Sequence, residues 1–108
     1  MLLTGQKQDG SVLTVRLKTM AVAKPATIGR GDEADITIDD PRSSRIHAAI
    51  RYWDDIFVIR DMNSSNGTFL NGEQVDVAKL NPGDVIKIGD TELTASAEAS
   101  GKDVTMSG

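Results

Sequence analysis

With 108 residues the chain has the length of one domain built on one core. It holds no cysteine and one histidine, His47, which excludes disulfides and thiolate metal sites and leaves no cluster to complete a zinc site. A formal charge of −4 disfavours nucleic acid as the main partner, and no apolar run approaches the roughly 18 residues that span a bilayer.

Met1 to Gly10 is polar with two glycines and reads as a flexible N-terminal segment, 1–10. Beyond it the patterning is all-β. Leu13, Val15 and Leu17 alternate with Thr14, Arg16 and Lys18, the period of a strand with one buried face. Ala26-Thr27-Ile28 and Ile36-Thr37-Ile38 follow, then Ile46 to Tyr52, Ile56 to Arg60, Thr68-Phe69-Leu70, Val85 to Ile88 and Thr91 to Ala95. Asp54-Asp55, Asn71-Gly72 and Gly89-Asp90 are dipeptides suited to tight hairpins, and Asn81-Pro82-Gly83-Asp84 reads as a loop. Many short strands at close spacing predict a sandwich or a barrel. In Arg42 to Trp53 the residues leave helix and strand tied, because Ile46, Ala49, Ile50 and Trp53 also fall at helical spacing. As a strand, the same segment puts Ala48, Ile50 and Tyr52 on one face and His47, Ala49 and Arg51 on the other. Glu98 to Gly108 is small and polar, so 98–108 reads as a flexible tail and 11–97 as the folded domain.

Four segments carry chemistry: Gly29-Arg30, Ser44-Arg45-Ile46-His47, Ser64-Ser65-Asn66-Gly67-Thr68 and Asn71-Gly72. Singly each has a bland reading as a turn, a cap or a solvated pair. In this order, with apolar strands between them, they resemble the forkhead-associated (FHA) family over roughly Leu13 to Ala97. The resemblance implies a two-sheet antiparallel β-sandwich of the FHA/SMAD-like type, with a ligand site in loops at one end, and settles Arg42 to Trp53 as strand. It implies a phosphothreonine-binding module that mediates phosphorylation-dependent protein–protein interaction in signalling, and not an enzyme. In that family's pattern Arg30 and Ser44 contact the phosphate, Arg45 lies near the same oxygens, Ser65 lines the pocket and Asn66 grips the peptide backbone. Arg42 falls where some members read the peptide downstream of the phosphothreonine. Gly29, His47, Gly67, Thr68, Asn71 and Gly72 are structural supports of the site.

The implied partner is a Thr-phosphorylated protein or peptide, met by a cytoplasmic and monomeric domain without metal or other cofactor. The chain's own Thr4 or Thr105, in the two flexible ends, would be candidates for intramolecular control. The alternative within the same fold is a phosphate-independent protein–protein assembly domain. Other patterns are weaker. Gly29-Arg30-Gly31-Asp32-Glu33-Ala34 fits a dinucleotide fingerprint, but a β-like run and Pro41 follow where a helix is needed. Ser44, His47 and Asp61 suggest a hydrolase triad, but no nucleophile elbow accompanies them.

Overall fold

The computed structural model describes residues 1–7, 10–17 and 24–97. Among these, eleven strands form two sheets. They are β1 (Leu2–Gln6), β2 (Val12–Arg16), β3 (Ala26–Gly29), β4 (Ile36–Thr37), β5 (Ala48–Trp53) and β6 (Ile56–Asp61), then β7 (Thr68–Leu70), β8 (Glu73–Val75), β9 (Val77–Leu80), β10 (Val85–Ile88) and β11 (Thr91–Ser96). One sheet runs β2-β1-β11-β10-β7-β8 and the other β4-β3-β5-β6-β9. Adjacent strands pair antiparallel except β3 with β4, which are parallel. The sandwich is the expected architecture. Among the described residues no helix is long and apolar enough to cross a membrane.

Strand alternation builds the core. Leu3, Val15, Ile86, Ile88, Leu93 and Ala95 of the first sheet meet Ala26, Ile28, Ile36, Ala48, Ile50, Phe57, Ile59 and Leu80 of the second, in one buried cluster. In β6, Phe57 and Ile59 are buried while Ile56 and Arg60 face water, the two-residue period of a half-buried strand. The tie over Arg42 to Trp53 resolves as strand only from Ala48 on, where register with both β3 and β6 makes β5 an interior strand; 42–47, with Ile46 and His47, is loop instead. Asp54-Asp55 and Asn71-Gly72 form hairpin turns with positive φ at both positions, 52° and 64° in the first and 52° and 89° in the second.

The N-terminal segment corrects the sequence reading. Leu2–Gln6, expected to be flexible, is β1, an interior strand between β2 and β11. Leu3 anchors it with no exposed surface, opposite Val15 on one neighbour and Ala95 on the other. Gly5 breaks the apolar alternation, and it is required there: a Cβ would come within 2.7 Å of the Glu92 carbonyl oxygen. Thr4 is therefore held in a ladder, opposite Thr14 and Thr94, and is not a free peptide. The 98–108 tail and Thr105 lie outside the described residues. Strands β8 and β9 were also not anticipated; both lie at sheet edges, where charged residues such as Glu73 and Lys79 hide the apolar alternation.

Candidate functional site

Three loops meet at one end of the sandwich: residues 30–35 after β3, 38–47 before β5 and 62–67 before β7. Their meeting is set by backbone contacts. The Arg30 N–H donates to the Ser44 carbonyl at 3.0 Å, and the His47 N–H donates to the Ile28 carbonyl at 2.7 Å. So close is this approach that a Cβ at Gly29 would overlap the Arg45 carbonyl oxygen. Only glycine leaves room for the two chains.

His47 joins the second loop to the third. It is fully buried; its Nδ1 accepts the Ser44 N–H at 3.0 Å, and its Nε2 lies 2.8 Å from the Gly67 carbonyl oxygen. Since Nδ1 accepts, Nε2 carries the proton and donates to Gly67, a tautomer assigned from its partners. Both ring nitrogens are thus used on backbone. The ring is no base for the Ser44 hydroxyl, so Ser44, His47 and Asp61 do not form a triad.

The Ser44 hydroxyl instead accepts the Ser65 N–H at 3.2 Å, and the Asn66 side-chain amide donates to the Arg42 carbonyl at 2.6 Å. The structure therefore brings Arg30, Arg42, Ser44, Arg45, Ser65 and Asn66 to one rim, through links from 30 to 44, 44 to 65 and 42 to 66. Arg30, Arg42, Arg45, Ser65 and Asn66 are exposed there and Ser44 is half-buried. Two of the cations already have counterions: Arg45 lies 3.6 Å from Glu33 and Arg42 lies 3.3 Å from Asp90. Both pairs are solvent-exposed, so each holds its arginine only weakly. Arg30 takes part in none of the ion pairs among the described residues.

Two carboxylates to which the sequence reading gave no structural role hold the loops in shape. Asp61, at the end of β6, accepts from the Ser64 hydroxyl at 2.5 Å, the Ser64 N–H at 3.1 Å and the Thr68 hydroxyl at 2.7 Å. Burial pushes its carboxyl up, but those bonds outweigh burial and hold it below the ordinary aspartate value. Ser64 passes the constraint on, its hydroxyl accepting the Gly67 N–H at 3.0 Å. Gly67 sits at φ +87° with the Gln74 amide against it, where a side chain would be strained and crowded.

Asp40 does the same for the second loop. It is fully buried and accepts from the Arg42 N–H at 2.8 Å, the Asp90 N–H at 2.8 Å and the Thr91 hydroxyl at 2.7 Å. Here too burial raises the carboxyl and hydrogen bonding, first from Thr91, more than offsets it, so its pKa is lowered. The sequence signal for both was the short Asx pattern, Asp40 two residues before Arg42 and Asp61 three before Ser64.

Asn71 and Gly72 stand apart from the rim. They turn β7 into β8 at the far end of β7, and Asn71 bonds Asp84 at 3.0 Å and the Val85 N–H at 2.9 Å. Their contacts fix the sheet next to the site and touch none of the rim residues named above.

Residues 26–89 match a family model described as FHA domain. FhaA of Mycobacterium tuberculosis, an FHA domain-containing protein, is 37% identical over 90 residues, covering 83% of this chain and 16% of that protein. Among solved structures, a domain from work on phosphothreonine-dependent FHA domain interactions superposes with a TM-score of 0.73 at 30% identity, covering 93% of this chain and 100% of the other. EmbR of M. tuberculosis in complex with a low-affinity phosphopeptide superposes with a TM-score of 0.69 at 29% identity, covering 92% of this chain and 26% of EmbR. The chain thus spans a small part of the larger proteins that it matches.

Proposed function

The chain belongs to the FHA family, whose domains are interaction modules, and from that premise we propose that it binds phosphothreonine peptides and joins proteins in response to phosphorylation. In this reading Arg30, Ser44, Arg45 and Ser65 hold the phosphate and Asn66 holds the peptide backbone, with Arg42 reading a side chain downstream. The chain performs no chemistry of its own and works in the cytoplasm, where ATP supplies the phosphoryl groups. The observation that carries the reading is the convergence of three distant segments through the Arg30–Ser44 and Ser44–Ser65 hydrogen bonds, which brings Arg30, Ser44 and Ser65 to one rim.

A phosphothreonine carries about −1.5 to −2 charges on three acceptor oxygens, so it needs cations and neutral donors fixed in advance. Charge-assisted bonds contribute about 1.5–3 kcal/mol each, and four or five give a gross gain near ~10 kcal/mol. Immobilising the peptide takes back several of these, leaving an affinity on the order of micromolar. Glu33 beside Arg45, and Asp32 near it, oppose long-range steering of an anion, so affinity rests on contacts made inside the rim. Calorimetric titration with matched phosphorylated and unphosphorylated threonine peptides tests the reading. Binding should require the phosphate and fall at least about tenfold in Arg30→Ala, the cost of one such bond. Equal binding by Arg30→Ala, Ser44→Ala and the parent would overturn it.

A further inference from the structure

The outward face of the second sheet is unlike the rest of this acidic chain. Alternation in β5, β6 and β9 turns Arg51 and Trp53, Ile56, Val58 and Arg60, and Val77 and Lys79 away from the core, and register sets Arg51 opposite Val58, Arg60 opposite Val77 and Lys79 opposite Val58. Trp53 is 77% exposed and Val77 53%. Arg51, Arg60 and Lys79 take part in none of the ion pairs among the described residues. A groove of about 1020 Å³ runs across this face, and Ile46 and Met62 help to line it, as do Glu33 and Asp35, two carboxylates already paired with Arg45 and Lys24. Those two residues follow Arg45 and precede the Ser64-Ser65-Asn66 turn, so the groove opens beside the phosphate rim.

We infer that this face is a second docking surface, which receives an acidic stretch with apolar anchors from the same partner that carries the phosphothreonine. The inference rests on the function proposed above for the rim. Three unpaired cations among exposed apolar side chains fit alternating carboxylates and apolar groups. Continuity with the rim favours one polypeptide crossing both. From Arg45 to Trp53 the path is up to about 26 Å at strand spacing, which eight to ten extended residues cover. Such a second contact becomes intramolecular once the phosphate is held, so it raises affinity without tight binding of its own.

Trp53 is the chain's single tryptophan, which makes the face self-reporting. The probes are a phosphothreonine peptide, the same peptide with a ten-residue extension alternating Glu with Leu and Phe on either end, and the extension alone. A fourth probe replaces its Glu with Lys. The extended acidic peptide should bind on the order of tenfold or more tighter than the short one. It alone should move Trp53 emission to shorter wavelength. Arg51→Glu/Arg60→Glu should bind the short peptide as the parent does and lose the gain, with Trp53→Ala doing the same by calorimetry.

Equal affinity for short and extended peptides, or a gain that survives the double variant or is matched by the Lys probe, overturns the inference. So does buried-type Trp53 emission in the free protein, which would mean that the chain or a second copy already covers the face, or an emission shift induced by an oligonucleotide instead. Should the short peptide fail while the extension alone shifts Trp53 in the parent and not in the double variant, the phosphate reading falls and the surface stands.

Discussion

His47→Ala removes the buried side chain that ties two loops of the rim together. The ring is fully buried, and its loss strands the Ser44 N–H and the Gly67 carbonyl, each 2.8–3.0 Å from a ring nitrogen. A buried polar group left without its partner costs about 1–3 kcal/mol, and the cavity left by the ring adds to that. A loss of about 3–5 kcal/mol follows, against a total near 5–15 kcal/mol for a chain of this size. Since about 1 kcal/mol moves the melting point of such a domain by 4–8 °C, the variant should melt at least ~12 °C lower. Urea unfolding at neutral pH measures the first quantity and a thermal scan the second. Because the imidazole faces backbone and not the rim, affinity for a phosphothreonine peptide at a temperature where both proteins are folded should change by less than about tenfold. Full stability with abolished binding would refute the reasoning, for it would put the ring on the ligand.

Asp40 and Asp61 both have folded pKa values below the ordinary aspartate value, so each contributes stability above the unfolded pKa near 3.9 and loses it as pH falls through the depressed folded value. Stability should therefore hold from neutrality to about pH 5 and fall below about 4, and Asp61→Asn should flatten that acid limb in pH-dependent urea melts. Gly29→Ala should cost both stability and peptide binding, because its Cβ overlaps the Arg45 carbonyl and forces the second loop away; unchanged melting and affinity would contradict that. Asn71→Ala loses bonds to Asp84 and Val85 and should destabilise by about 1–2 kcal/mol while leaving the peptide affinity of the folded protein within a few-fold. Replacing the phosphothreonine of a peptide by Glu should abolish measurable binding, since one carboxylate offers about half the charge and fewer oxygens.

The rim was legible as residues before it was legible as geometry. Arg30, Ser44, Arg45, Ser65 and Asn66 stand in motifs of fixed order, and the long-range links 30 to 44 and 44 to 65 then bring them together. Turn chemistry was legible as well: Asp54-Asp55 and Asn71-Gly72 occupy the positive-φ positions that their residue types suit. What stayed hidden depends on partners far along the chain. Asp40 reads as one more acid among Asp32, Glu33, Asp35 and Asp39, and its role appears only when Asp90 and Thr91 come within hydrogen-bonding distance, some fifty positions away. Leu2–Gln6 is too short and too interrupted by Gly5 to announce a strand, yet Leu3 is wholly buried because two neighbouring strands close over it. Sheet edges mislead for the opposite reason, since the charges of β8 and β9 answer to solvent and mask the alternation beneath.

In the proposed binding mode, loops from three parts of the chain form one receptor for a phosphoryl group. A ¹H–¹⁵N correlation spectrum recorded with a short phosphothreonine peptide, and again with its unphosphorylated twin, shows whether those loops act as one. The amides of residue 30, residues 42–45 and residues 64–67 should shift with the phosphorylated peptide only. Identical spectra for the two peptides, or shifts spread over the sheets with the rim unmoved, would contradict it.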